Sequence, residues 1–149
     1  MSIRIHKLAE ELGWDNKELI ALLKANPGKY SFASSGNGTS QHLSGELFKS
    51  MSGTDMQHIP YKGSPPALQD VMGGQVAMTF DNITTAWTLA KAGKLRALAV
   101  TTAAHSPDLP DTPSMKELGL DIDIANWNGF FVPYGPPELV SDRLTRELS

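Results

Sequence analysis

The sequence contains no cysteine. Disulfides, thiolate metal sites and a cysteine nucleophile are thereby excluded, and the redox compartment is left open. No apolar run reaches the ~18 residues that a membrane-spanning helix requires. Charge is scarce and nearly balanced: charged residues make up 19%, and 13 Lys and Arg face 16 Asp and Glu for a net charge of −3. A broad nucleic-acid surface is not expected from that balance. Aromatics are 7% of the chain. His6, His42, His58 and His105 are scattered, with no two at metal-ligand spacing. No metal centre and no cofactor are therefore expected. The opening MSIRIHKLAEELG carries charges where the apolar core of a secretory leader would sit, so no leader is read.

What is present suits one folded domain. The 149 residues are 40% hydrophobic. A chain of that size buries ~70% of its unfolded surface and needs no disulfide or metal staple. Gly 13 and Pro 10 predict many short turns. Leu8, Ala9 and Leu12 form a helical stripe that Gly13 stops. Asp15 with Glu18 reads as a capping box for a second helix, whose apolar face is Leu19, Ile20, Leu22 and Leu23 and which Asn26-Pro27-Gly28 ends.

From Lys29 onward, strand and helix patterns alternate. Strands are expected at 30–34, 56–61, 76–80 and 95–101. Helices are expected at 39–51 (Leu43, Leu47, Phe48 and Met51 on one stripe), from the 62–66 loop to Met72, at 82–92, at 114–118 and at 138–148 after Pro136-Pro137. Residues 121–132 read as extended. Such alternation predicts an α/β fold, a three-layer α/β/α lobe with a mostly parallel sheet and right-handed crossovers.

In such a sheet, ligands bind beyond the carboxyl ends of the strands. Three loops fall there: Ser35-Gly36-Asn37-Gly38-Thr39-Ser40, Tyr61-Lys62-Gly63-Ser64 and Asp81-Asn82. Glycine admits close approach of a ligand to the backbone, and a helix start presents free N–H groups to an anion. Thr39 is either part of an anion site or only an N-cap. Asp81 either faces a ligand or caps the helix after it. Lys62 either meets an anion or is solvated. No Gly-Lys-Ser/Thr follows the glycines, and Gly36-Asn37-Gly38 lacks a third glycine, so neither a P-loop nor a dinucleotide fingerprint is present. A Ser nucleophile at Ser35 or Ser40 lacks the Gly-x-Ser-x-Gly elbow. His42 and His58 read as structural; Tyr30, Trp87 and Trp127 read as core or cleft packing. The triplets Asn37-Gly38-Thr39 and Asn82-Ile83-Thr84 match a glycosylation signal that is common by chance.

Several ordered motifs together resemble the Bug-type substrate-binding proteins of tripartite tricarboxylate transporters. They are Glu18-Leu19-Ile20-Ala21 with Lys24-Ala25-Asn26-Pro27-Gly28-Lys29, then Ser34-Ser35-Gly36-Asn37-Gly38-Thr39-Ser40-Gln41-His42-Leu43. Ile59-Pro60-Tyr61-Lys62-Gly63-Ser64-Pro65-Pro66-Ala67-Leu68, Gly74-Gln75-Val76 and Phe80-Asp81-Asn82 follow. The series closes with Ala92-Gly93-Lys94-Leu95-Arg96-Ala97-Leu98-Ala99-Val100-Thr101 and Leu109-Pro110-Asp111-Thr112-Pro113. The resemblance implies one lobe of a periplasmic, two-lobed type II binding protein. It implies a small carboxylate ligand, delivery to membrane transporter subunits, and no catalysis. By carry-over, Ser35, Gly36, Asn37, Thr39, Ser40 and Gln41 form the first ligand-binding segment. Tyr61, Lys62, Gly63 and Ser64 form the second, and Asp81 orients the ligand or binds its polar distal group.

The resemblance divides the chain into an N-terminal helical extension at 1–16, a second lobe at 17–129, and a return strand and helix at 130–149. A lobe without its partner leaves the cleft open, so weak binding or none is expected, and the uncovered surface predicts self-association. Without a leader, the chain as written would stay in the cytoplasm. The first ~24 residues are similar to the N-terminal helical module of bacterial translation initiation factor two, which points to a graft at the extension. Three rival readings stand beside the carboxylate lobe: a recombined or engineered chimeric fold with no ligand; an RNA-associated module using Arg4, Lys7, Lys17 and Lys24; and a small hydrolase using Ser35 or Ser40.

Overall fold

The computed structural model describes residues 16–126, 134–135 and 137–148. The expected helix at Leu8–Leu12, the cap at Asp15, Trp127, the return strand from Phe130 and Pro136 lie outside the described residues.

Helix α1 spans Asn16–Ala25. It turns Leu19 and Leu23 fully into the core, with Ile20 and Leu22 packing beside them. Asn26 closes it: its side-chain amide donates to the Leu22 carbonyl at 3.0 Å. Strand β1, Ser31–Ser34, follows, then α2, Ser40–Ser52; β2, Gln57–Pro60; α3, Ser64–Met72; β3, Met78–Thr79; α4, Ile83–Lys91; and α5, Glu138–Leu148. The sheet is three-stranded in the order β2-β1-β3, and both pairings are parallel.

The three layers follow from the period of two along β1. Phe32 points to one face, where it packs with Leu19, Leu23, Phe48, Phe80 and Ile122. Ala33 points to the other, against Ala67 and Val71 of α3 and Val76. One face thus carries α1 and α2, and the other carries α3. Full burial of a ring such as Phe32 stabilises the fold by about 1.5–3 kcal/mol. Both faces of β1 are covered, as a central parallel strand requires.

Several expectations are corrected. The stripe Leu43, Leu47 and Met51 is exposed; α2 instead buries Gln41, Ser44, Gly45, Phe48 and Ser52. Small residues on that face let the helix lie close to the sheet: a β-carbon added at Gly45 would stand 2.6 Å from the Phe32 Cζ. The segment 95–101 is not a strand of the sheet. Its far end is held in a local bridge, with Val100 N–H donating to Pro113 O, Met115 N–H to Val100 O, and Ile124 N–H to Thr101 O. The segment 114–118 forms turns rather than a helix; its bonds run Leu118 N–H to Met115 O and Gly119 N–H to Lys116 O, too tight and too few for α geometry. The third strand is also shorter than 76–80, two residues in all, and 121–126 enters no strand. No helix of the described residues is long and apolar enough to cross a membrane.

Candidate functional site

Because the sheet is parallel, the loops after β1, β2 and β3 emerge at one edge. The turn after β1 is set by Thr39, the N-cap of α2. Its hydroxyl donates to the Gly36 carbonyl at 2.7 Å and accepts the His42 N–H at 3.4 Å. The first-turn amides of Ser40 and Gln41 have no acceptor among the described residues, as helix geometry dictates. Gly36 (φ 143) and Gly63 (φ 111) hold backbone conformations that side-chain-bearing residues rarely adopt. They let the first two loops meet: Tyr61 N–H donates to Ser34 O at 2.9 Å and Gly63 N–H to Ser35 O at 3.2 Å.

A chain of side-chain hydrogen bonds then runs across all three loops. Ser35 donates to Gln41 Oε1 at 2.9 Å, and Ser40 donates to the same atom at 3.3 Å. Gln41 Nε2 donates to Ser64 Oγ at 3.5 Å, and the Ser64 hydroxyl donates to Asp81 Oδ1 at 2.9 Å. Asp81 Oδ1 also accepts the Asn82 N–H and the Thr85 hydroxyl, each at 2.7 Å. The Gln41 amide orientation is assigned from this network. Gln41 is buried, which makes it the interior joint of the chain.

Of the residues expected at the site, Ser35, Gly36, Thr39, Ser40, Gln41, Gly63, Ser64 and Asp81 come together. Asn37 and Lys62 are exposed at the rim. Tyr61 contributes backbone only: its hydroxyl is turned to Asp70 Oδ2 at 2.6 Å. Burial, and then that hydrogen bond, push the phenol pKa up to about 12. The second loop is also poorer in donors than a helix start ordinarily is, because Pro65 and Pro66 carry no N–H. Asp81 holds the Asn82 amide just before α4 and joins the polar chain through Ser64. Thr85, in the first turn of α4, reaches back to Asp81 before the N-cap and was missed. Asn126, whose amide donates to Asn82 Oδ1 at 3.1 Å, was missed as well. Among the described residues no group of three metal ligands gathers.

A cavity of about 600 Å³ opens beside this chain, with Ser40, Gln41 and Asp81 at its polar end and Met78, Phe80 and Trp87 among its apolar lining. Trp87 also carries Lys91 Nζ over its ring at 4.7 Å from the centroid.

Hydroxyls, a buried amide and helix-start amides thus gather at the carboxyl edge of a parallel sheet in an α/β lobe. The chain matches the family model "Tripartite tricarboxylate transporter family receptor" over residues 14–148, and it belongs to that family. A Pseudomonas sp. (strain P51) UPF0065 protein from the tcbD-tcbE intergenic region is 39% identical over 137 residues, 91% of this chain and 41% of that one. Protein BugT of Bordetella pertussis is 37% identical over 132 residues, covering 88% and 40%. The chain thus spans about two fifths of the length of these curated relatives. Among solved structures, an R. palustris protein with adipate has a TM-score of 0.85 at 36% identity, over 89% of this chain and 44% of that one. The periplasmic binding protein BugD has 0.85 at 37%, over 90% and 45%. MatC from Rhodopseudomonas palustris with bound malate has 0.83 at 28%, over 89% and 45%.

Proposed function

We propose that this chain supplies one lobe of a solute receptor for a small carboxylate, held at the loop from Ser35 to Gln41. The observation that carries the reading is the polar chain Ser35–Gln41–Ser64–Asp81, which runs through the first turn of α2, where the amides of Ser40 and Gln41 have no helical acceptor. The amides suit the anionic oxygens. Asp81, at the far end of the polar chain, orients the ligand or meets its polar distal group. The adipate and malate carried by two similar proteins support this ligand class.

The lobe binds and does not catalyse. The Ser35 and Ser40 hydroxyls both point to an amide oxygen rather than to a base. Ser34 does lie 2.6 Å from His58 Nε2, yet it is wholly buried and out of a substrate's reach. The receptor would work in the periplasm and hand its ligand to membrane subunits of a tripartite transporter. A lobe held apart from its counterpart binds weakly and tends to self-associate. Residues 1–13 precede the family match, and we assign 1–16 to a grafted helical extension; removing them without loss of thermal stability would support that division.

The test is titration calorimetry of the chain against citrate, glutamate, nicotinate and adipate, after light scattering has fixed its oligomeric state. Saturable binding to at least one, lost in Thr39→Ala and in Asp81→Ala while both variants stay folded, is the expected result. A folded chain that binds none of the four overturns the reading and favours a recombined fold without a ligand.

A further inference from the structure

The loop that carries the first ligand-binding segment is tied down by two histidines. The rings of His42 on α2 and His58 on β2 stack with centroids 3.9 Å apart and planes within 9°. Phe32 closes the other side of His58 at 4.9 Å. Gly38 N–H donates to His42 Nδ1 at 3.1 Å. Nδ1 accepts only while it carries no proton, so the His42 proton sits on Nε2. On the second ring, His58 Nε2 stands 2.6 Å from Ser34 Oγ. The single Ser34 proton is directed to the Gly36 carbonyl at 3.1 Å, while Gly36 N–H donates back to Ser34 Oγ at 3.2 Å. His58 Nε2–H is therefore the donor in its contact. Both tautomers are assigned from these bonds. The two rings thus fix both ends of the turn from Gly36 to Gly38.

We propose that His42 and His58 are positioning residues of the carboxylate site: while His42 Nδ1 carries no proton the pair holds the Gly36–Thr39 turn in its anion-receiving shape, and a proton at that atom releases the turn and weakens binding. This rests on the carboxylate reading above. A proton on His42 Nδ1 sets a donor against the Gly38 N–H, and that bond is lost. The new charge also stands face to face with the second ring, so the cost of charging both is high. The surroundings agree. Burial, and then His42, hold the His58 pKa below the ordinary histidine value; Glu46 works against that and Lys49 with it. Glu46 and Lys49, both on α2, are paired to each other at 3.0 Å. From β1 the pair meets Phe32 and Ser34, neither of them ionisable in this range. Attraction between an imidazolium and the bound anion acts in the opposite sense, but at this exposed loop solvent and salt screen it.

The experiment uses the full chain, with adipate as the probe, between pH 8 and pH 6, where adipate remains ionised. Calorimetry gives the affinity, and the Gly38 amide resonance is followed across the same range without ligand. The expected result is a fall in affinity of about fivefold on acidification, the effect of one net hydrogen bond, with the Gly38 amide shifting at the same midpoint. His42→Asn keeps an acceptor near Nδ1 but cannot take up the proton there, so the fall in affinity on acidification and the matching shift of the Gly38 amide should both be lost in it. An affinity that holds or rises on acidification overturns the proposal, as does a Gly38 amide that stays still. A pH profile unchanged in His42→Asn does so too. Absence of adipate binding at pH 8 counts against the carboxylate reading alone, because the ligand-free Gly38 titration still decides whether the histidines hold the turn.

Discussion

Gly45 stands flat against the ring of Phe32. A β-carbon there would lie 2.6 Å from Cζ and 2.7 Å from Cδ2, inside any permitted contact. Gly45→Ala should therefore destabilise the lobe by about 1–3 kcal/mol, the usual cost of overpacking, even though alanine is the better helix former by ~1 kcal/mol. Denaturant melts of Gly45→Ala, alone and with Phe32→Leu, check this. The smaller side chain at 32 should make the alanine cost less in the double variant than in the single one.

Gln41 joins the first loop to the second from a buried position. Gln41→Leu keeps its bulk but leaves the Ser35 and Ser40 hydroxyls without their acceptor. We expect a loss of about 1–3 kcal/mol in stability, together with loss of carboxylate binding. Ser64→Ala cuts the chain one step further on, and it should weaken binding with a smaller stability change. Calorimetry and thermal melts on the two variants separate the effects.

The Tyr61 phenol, pushed up to about 12 by burial and by Asp70, keeps its proton longer in the folded state than in the unfolded one, where its value is near 10. Its contribution to stability is therefore fully present below pH 10 and is lost as the pH rises towards 12. Ultraviolet titration should show one of the three tyrosines ionising late. Tyr61→Phe should remove that late step and flatten the alkaline loss of stability.

His105 donates from both ring nitrogens, to the Pro110 carbonyl at 2.7 Å and to Glu117 Oε2 at 2.8 Å. The Pro110 carbonyl first, and Glu117 after it, raise its pKa. The Ser114 amide first, and His105 after it, lower that of Glu117. The His105 contribution is present below the ordinary histidine value and fades as the pH climbs through the raised one. The Glu117 contribution is present above the ordinary carboxylate value and fades as the pH falls through the lowered one. The pair is thus tightest at mildly acid pH. Proton NMR of His105 should show a lower midpoint in Glu117→Gln than in the parent chain.

The loops were legible in the sequence because their cause is local. Glycines, small hydroxyls and prolines mark turns and caps within a few residues, so the segments at 35–40, 61–64 and 81–82 could be placed at helix starts. The facing of α2 was not legible in that way. Helical spacing defines the stripe Leu43, Leu47 and Met51, but it does not say which stripe meets the sheet. The governing fact was the small face at Ser44 and Gly45, which takes its meaning only once Phe32 lies opposite. The same holds for Tyr61 with Asp70 and for His42 with His58, pairs whose partners come from different elements. The strand expected at 95–101 failed because apolar periodicity does not reveal which backbone a segment finds; Val100 found Pro113 and Met115.

The parallel sheet sorts the loops of this lobe by task. Those leaving the carboxyl ends of the strands carry the hydroxyls and free amides. The opposite edge holds the returns, where Gly28 N–H donates to Asp55 O and Gln57 Nε2 to Gly28 O. Change at one edge therefore alters the mouth without loosening the floor, and change at the other tunes durability without touching the mouth. On the reading proposed above, a lineage of such lobes is free to trade one ligand for another by rewriting short stretches of sequence, while the scaffold beneath is inherited intact.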